Sequence, residues 1–192
     1  MDEPPSRMLL VRHGQTAWSR EGRHTGRTDV PLVDEGERQA TSLGALLAGV
    51  APERVWCSPR RRALETCRLA GFGERAEVVD DLAEWDYGEL EGDTTAGILA
   101  RRPGWTLWSD GAPGGESPAE VGRRADRLIE RARSEGGTTL CFSHGHLLRV
   151  LGSRWVGLPP AGGRLLALGP GSLSELGWEH GAPVVVRWNR AP

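Results

Sequence analysis

The chain has 192 residues, of which 38% are hydrophobic and 26% charged, so it holds enough apolar sequence to build one globular domain. A formal net charge of −2 excludes an overall basic footprint for nucleic acid, and any affinity for anions must come from a local cluster. All 24 basic residues are arginine, which excludes Schiff-base and P-loop lysine chemistry and leaves guanidinium groups that suit phosphate.

The cysteines and the N-terminus carry no special signal. Cys57, Cys67 and Cys141 are odd in number, lack metal-ligand spacing and stand in apolar surroundings, which predicts reduced core residues. The first residues lack the order of a signal peptide, and no apolar run approaches membrane-spanning length. We therefore expect a cytoplasmic protein with neither a membrane nor a nucleic-acid partner.

Three strand–loop–helix units are predicted along the chain. Their strands cover residues 8–11, 54–57 and 138–142, and their helices cover residues 34–47, 60–70 and 147–156. Such alternation predicts a three-layer α/β/α sandwich with a mostly parallel central sheet, formed by one domain over residues 1–192. Because polar residues follow each strand, and ligands bind beyond the carboxyl ends of parallel strands, these motifs should meet at one edge.

The remaining segments are predicted from their turn residues and periodicity. Residues 103–118 are rich in Gly, Pro and Trp and predict a loop that covers a site. An amphipathic helix is predicted over residues 117–133 with Ser117 as its cap. Antiparallel strands are predicted in the tail over residues 164–168, 172–178 and 184–188.

His13 is the first candidate for chemistry, because it stands between Arg12 and Gly14 at the end of the first strand. Its imidazole could act as a nucleophile, and Gly14 would let the backbone approach an anion. On this tripeptide alone, a loop histidine beside a surface arginine is the favoured interpretation.

A larger pattern reverses that preference. Residues 10–16 (LVRHGQT), 25–32 (TGRTDVPL), 58–63 (SPRRRA), 84–92 (EWDYGELEG), 114–117 (GGES) and 143–149 (SHGHLLR) occur in this order. Together they resemble the histidine phosphatase superfamily, which includes the cofactor-dependent phosphoglycerate mutases. The resemblance covers most of the chain and implies a phosphoglycerate mutase-like fold.

The resemblance also implies roles for particular residues. His13 matches the phosphorylated residue, Glu84 matches the proton donor, and Arg12, Arg62 and His144 match the residues around the phosphate. Chemical reasoning agrees, because two guanidinium forks and a cationic His144 would offset the charge of a transferring phosphoryl group. Such a pocket needs no metal, and no cofactor is expected.

Glu84 could act as general acid if burial beside Trp85 and Tyr87 favours its protonated form. Three neighbouring carboxylates compete with it, and without the resemblance the sequence leaves the choice open. These are Asp86, Glu89 and Glu91.

Further positions match those at which relatives hold substrate. Many relatives have Asn where Ser19 stands, so the reach of this shorter side chain is in question. The predicted substrate-binding residues are Gln15, Ser19, Thr25, Gly26, Ser58 and Gly145.

Several charged side chains have a structural interpretation that we prefer to a functional one. Arg60 and Arg61 are expected to be solvated, because one helix face cannot aim three consecutive side chains inward. Arg124 is expected in a structural ion pair, and His180 in a surface turn.

Three other side chains are weaker candidates for the site. His24 lies in a loop where it could contact substrate, although solvation is the expectation. His146 flanks the predicted pocket and could bond the start of the following helix. Trp108 could form the wall for a sugar or an aromatic leaving group.

The expected reaction is hydrolysis of small phosphorylated metabolites, with sugar phosphates as the leading class. Motifs resemble the bacterial acid phosphatase and sedoheptulose-bisphosphatase branch. Mutase-type transfer is the alternative, but the segment between Glu84 and His144 is shorter than in the mutases and the chain lacks lysine. A noncatalytic phosphate-binding module is a second alternative. The sequence defines neither the individual substrate nor the oligomeric state, and it is compatible with a homodimer.

Overall fold

The computed structural model describes residues 6–192 and contains one mixed six-stranded sheet in the order β3-β2-β4-β1-β5-β6. The strands are β1 (Arg7–Arg12), β2 (Arg54–Cys57), β3 (Ala76–Val78), β4 (Thr138–Ser143), β5 (Leu173–Glu179) and β6 (Ala182–Arg190). Strands β3, β2, β4 and β1 pair in parallel, whereas β5 and β6 pair antiparallel. The mostly parallel sheet and the antiparallel tail pair are confirmed.

Within the described residues, seven α-helices accompany this sheet. They are α1 (Ala17–Glu21), α2 (Asp34–Leu46), α3 (Arg61–Leu69), α4 (Thr95–Arg101), α5 (Leu107–Asp110), α6 (Pro118–Glu135) and α7 (Gly145–Trp155). The helices of the three predicted strand–loop–helix units are thus observed as α2, α3 and α7.

Alternate residues of β1 build two separate cores. Met8 and Leu10 pack in a cluster with buried side chains of α6 and α7, while Leu9 and Val11 pack with those of α2 and α3. Because successive side chains of a strand point to opposite faces, a sheet covered on both sides needs a continuous apolar run. This arrangement confirms the three-layer sandwich.

Helix starts are fixed by local hydrogen bonds. Ser117 forms a capping box with Glu120 at the start of α6, as its position before an amphipathic run predicts. Thr16 forms the same arrangement with Ser19 at the start of α1, a helix that the sequence analysis did not identify. The predicted loop over residues 103–118 is interrupted by α5, which Thr106 caps.

The strand predicted over residues 164–168 is wrong. A 3-10 helix (Pro160–Leu165) occupies this region, and residues 166–169 have no regular structure. Arg149 binds the carbonyl oxygens of Gly163 and Arg164, and Leu165 is 72% exposed. The apolar residues therefore lack a neighbouring strand to pair with, and propensity alone does not form one.

The prediction of reduced cysteines in the core is confirmed, because all three are free and buried. Over residues 6–192, none of the helices combines the length and the apolar character needed to cross a membrane.

Candidate active site

A cavity of about 190 Å³ opens where β1 and β4 end. This is the edge at which the sequence motifs were expected to meet. Its lining is mostly polar and comprises Arg12, His13, Ser19, Gly22, Arg23, His24, Thr25, Glu84, Tyr87, Thr95, Gly145, His146, Arg149 and Leu168.

His13 is buried at the floor of this cavity, one residue past β1. Its Nδ1 lies 2.7 Å from the carbonyl oxygen of Gly14, which can only accept, so Nδ1 carries the proton. Burial, together with the positive charges of Arg62 and Arg12, lowers the pKa of His13 well below 6.5. The imidazole is therefore neutral, with its lone pair on Nε2.

Arg62 and His144 lie together beneath His13. Nε of Arg62 donates to Nδ1 of His144 over 3.1 Å, and Nε2 of His144 lies 2.7 Å from the Ser58 hydroxyl. Neither side chain is part of the cavity lining, although the His13 and His144 rings are 5.1 Å apart.

The expectation of a cationic His144 is wrong. Its Nδ1 accepts a hydrogen bond from a permanently charged guanidinium, so this nitrogen cannot also hold a proton. Burial and the charge of Arg62 lower the pKa of His144 well below its ordinary value. His144 is thus a neutral donor to Ser58 and an orienting partner for Arg62.

Arg12 lines the cavity directly. It donates to the Leu168 carbonyl, and its Nε is buried without a partner among residues 6–192. A Cβ on Gly145 would stand 3.2 Å from the Arg12 guanidinium carbon, so this glycine lets the guanidinium lie close to the start of α7. The Arg12 Nη2 makes no hydrogen bond within residues 6–192 and is not enclosed, so this is the nitrogen from which a bound anion can accept.

Glu84 forms part of the cavity wall and is 9% exposed. Its carboxylate accepts from its neighbour Trp85 N–H at 2.9 Å, and from the N–H groups of His146 at 3.0 Å and Leu147 at 2.9 Å. The last two belong to the first turn of α7, where a negative charge is favourable. These bonds fix the carboxylate beside the cavity.

The three competing carboxylates are engaged elsewhere and do not line this cavity. Asp86 forms an ion pair with Arg27, and Glu89 pairs with Arg102 near the surface. Glu91 accepts from the backbone N–H groups of Gly26 and Thr28. Of the four carboxylates, Glu84 is the one that lines the same cavity as His13.

The predicted substrate-binding residues divide into two groups. Ser19, Thr25 and Gly145 line the cavity, although the Ser19 hydroxyl is already used in the capping box of α1. The other three, Gln15, Gly26 and Ser58, do not line it.

Each of those three has an identifiable structural task. Gly26 donates its N–H to Glu91, and its carbonyl oxygen accepts a hydrogen bond from Arg62. A Cβ at this position would stand 2.6 Å from the backbone oxygen of Trp85. Gln15 donates its N–H to Gln39, and Ser58 is bonded to His144.

Two expectations about aromatic and histidine side chains are wrong. His24 is buried rather than solvated, because its ring packs 4.8 Å from that of Tyr87 and 6.0 Å from that of Trp105. Trp108 does not line the cavity; it stacks under Arg149 and lies 5.3 Å from the ring of His146.

The prediction that Arg124 forms a structural ion pair is confirmed, because its guanidinium donates two hydrogen bonds to the Glu116 carboxylate. Arg61 is exposed and pairs with Glu65, as a helix-surface charge does. Arg60 differs from the expectation, because it is half-buried and its Nε is buried without a partner in the described part of the chain.

Sequence reasoning missed Arg149, which projects into the cavity from the second turn of α7. Burial lowers its pKa, and its guanidinium lies over Trp108. The signal was present, because Arg149 ends the last motif block at helical spacing from Gly145 and His146.

Comparison with known proteins places this geometry in a family. The family model of the histidine phosphatase superfamily, branch 1, matches residues 8–191. An acid phosphatase of Mycobacterium tuberculosis is 47% identical over 179 residues, covering 91% of this chain and 88% of that protein. Sedoheptulose 1,7-bisphosphatase of Saccharomyces cerevisiae is 36% identical over 184 residues, with 79% and 68% covered.

Solved structures agree with the sequence comparison. The structure of a Mycobacterium tuberculosis open reading frame matches with a TM-score of 0.93 and 44% identity, covering 97% of this chain and 98% of that one. The chain is therefore a phosphatase that belongs to the histidine phosphatase superfamily, branch 1.

Proposed function

We propose that this protein hydrolyses the phosphomonoesters of small metabolites, with sugar phosphates as the leading class, through a phosphohistidine on His13. The observation that carries the proposal is the bond from His13 Nδ1 to the Gly14 carbonyl, at 2.7 Å, in a residue whose pKa is lowered. It leaves Nε2 unprotonated on a cavity floor that Arg12 also lines, within reach of the positive charge of Arg62.

In the first step, Nε2 of His13 attacks phosphorus in line while the bond from phosphorus to the ester oxygen breaks. Glu84 gives a proton to the departing oxygen, and the alcohol leaves. The position of Glu84 on the cavity wall, held by the start of α7, supports this role.

Two guanidinium groups would stabilise the phosphoryl group during transfer. Arg12 offers the N–H groups of Nη2, which is neither enclosed nor bonded within residues 6–192. Arg62 uses four of its five N–H groups on His144, Thr25, Gly26 and Thr28, so it is held behind the cavity lining and would act on the phosphoryl group through its charge. The same four bonds hold the fork rigid, so little reorganisation is needed during the reaction.

In the second step, water attacks the phosphorus of phosphohistidine and Glu84 accepts its proton. The bond between Nε2 and phosphorus breaks, inorganic phosphate forms, and His13 regains its lone pair. A cavity of about 190 Å³ suits a small phosphate ester, and the names of the two curated relatives favour small phosphorylated substrates.

Hydrolysis of p-nitrophenyl phosphate by a matched pair of histidine variants tests the proposal. His13→Asn should abolish turnover, whereas His180→Asn, which changes an exposed turn histidine, should retain it. Rapid mixing with labelled substrate should yield an enzyme-bound phosphoryl group that survives alkali and is lost in acid. An acid-stable label, or an active His13→Asn variant, would overturn the mechanism.

A further incubation separates hydrolysis from mutase-type transfer. With 3-phosphoglycerate and a bisphosphoglycerate primer, we expect free phosphate. Formation of the phosphoglycerate isomer without phosphate would favour transfer instead.

A further inference from the structure

The Tyr87 hydroxyl and the ring of His146 form a hydrogen-bonded pair in the cavity wall. The phenol oxygen lies 2.6 Å from Nδ1 of His146. Within residues 6–192, this is the one hydrogen bond that the Tyr87 hydroxyl makes. If Nδ1 were the donor, the buried phenol hydrogen would have no acceptor, so the phenol must donate and Nδ1 must accept.

Charge and burial favour the same assignment. Burial raises the pKa of Tyr87 well above 10.0, so the phenol keeps its proton. Burial, and the positive charge of Arg149, lower the pKa of His146 well below 6.5, so the imidazole holds one proton only. Since Nδ1 accepts, that proton is on Nε2.

The Nε2–H group of His146 is free to bind a ligand. No side chain or backbone group of residues 6–192 bonds to it, yet it is not among the buried atoms that lack a partner. It is therefore open to the cavity that His146 lines. The ring is fixed from the other side by Trp108, whose ring lies 5.3 Å away.

The position of this donor defines what it can reach. The backbone N–H of His146 donates to the Glu84 carboxylate over 3.0 Å. The His146 ring therefore belongs to a residue that directly contacts the group proposed to protonate the ester oxygen. His24, whose ring lies 5.8 Å from that of His146, and Thr95, whose hydroxyl bonds to His24, line the same cavity. The leaving group, rather than the phosphoryl group, would occupy this side.

We propose that His146 is a specificity-determining residue whose Nε2–H binds an oxygen on the carbon next to the phosphate ester, and that Tyr87 is the positioning residue that sets its tautomer. This inference rests on the proposed phosphatase function. It deepens the substrate class to esters of polyhydroxylated alcohols, because an aryl leaving group offers no such oxygen.

Relative turnover of two substrates tests the inference. The measured quantity is the ratio of kcat/KM for glycerol 3-phosphate to kcat/KM for p-nitrophenyl phosphate. Loss of one neutral hydrogen bond in Tyr87→Phe should lower this ratio by about three- to tenfold. Trp105→Phe is the matched control, because it alters the same aromatic cluster without touching the Tyr87–His146 bond, and its ratio should stay within about twofold.

Two substitutions at His146 distinguish the position of the donor from the size of the side chain. His146→Gln places an amide N–H near the former Nε2 and should retain most of the ratio, whereas His146→Asn places it near Nδ1 and should lose it. Comparison of His146→Gln with His146→Asn tests the inference independently of Tyr87→Phe, even if that variant folds poorly.

A spectroscopic readout completes the test. Nitrogen NMR of the wild-type protein should show His146 protonated at Nε2, and Tyr87→Phe should mix the two tautomers. An Nδ1–H tautomer in the wild type, or an unchanged substrate ratio in both Tyr87→Phe and His146→Asn, overturns the inference. Absence of p-nitrophenyl phosphate hydrolysis by the wild type would instead contradict the proposed function.

Discussion

The Nε–H of Arg62 donates to Nδ1 of His144 across 3.1 Å, joining the start of α3 to the start of α7. The two residues are 82 positions apart in sequence. Arg62 also donates to the carbonyl oxygens of Thr25 and Thr28, so one arginine both holds the loop over residues 25–28 and keeps His144 neutral.

Arg62→Lys should lower kcat/KM for p-nitrophenyl phosphate by about 100-fold or more, because one ammonium cannot replace a planar fork bonded to four acceptors. Arg61→Lys is the matched control. Arg61 is exposed and pairs with Glu65, so its replacement should leave kcat/KM within about twofold. Equal effects at the two positions would contradict the assignment of Arg62 to the phosphate site.

Glu84→Gln should reduce kcat for hydrolysis of alkyl phosphates by about 100- to 10,000-fold, since an amide can neither give nor accept the required proton. Glu89→Gln changes a carboxylate that is 67% exposed and should be nearly silent. The effect of Glu84→Gln should be smaller on p-nitrophenyl phosphate, whose leaving group needs less protonation. A silent Glu84→Gln variant would exclude this residue as the acid.

Stability should fall in mild acid. The pKa values of His13 and His144 are lowered well below 6.5 in the folded protein, while the unfolded chain takes up protons near 6.5. Stability from these groups is therefore complete above pH 6.5 and is lost as the pH falls below it, by up to about 1.4 kcal/mol per pH unit for each.

Urea denaturation between about pH 7.5 and about pH 5.5 measures this slope. His144→Gln should make the slope shallower, whereas His180→Asn, which replaces an exposed side chain, should leave it unchanged. Stability that rises toward acid pH would contradict the buried neutral state of these histidines.

Gly36→Ala should destabilise the protein by about 1–3 kcal/mol and lower kcat, because the added Cβ would overlap the backbone oxygen of Gln15 in the loop after His13. Gly97 is the control glycine, since it lies in α4 and a Cβ there meets only the Thr94 side chain at 3.3 Å. Gly97→Ala should be neutral or slightly stabilising in a thermal melt.

Much of the fold could be predicted because a strand that is buried on both faces is a continuous run of apolar residues in the sequence. The apolar run from Met8 to Val11 and the run from Leu140 to Phe142 are buried on both faces, which explains why both read as strands. By contrast, residues 164–168 have a similar pattern without a partner strand, and Arg149 instead holds them in a turn. Pairing depends on neighbours that the local sequence does not specify.

The sequence by itself determined which residue types follow each strand, and so which ones meet at the edge of the sheet around His13. Only the tertiary structure decided which of these side chains are protonated, buried or hydrogen-bonded to other groups. The neutrality of His144 depends on Arg62, the burial of His24 on Tyr87 and Trp105, and the engagement of Glu91 on Gly26. Protonation and hydrogen bonding are set by the electrostatics of groups distant in the chain, and periodicity carries no information about them.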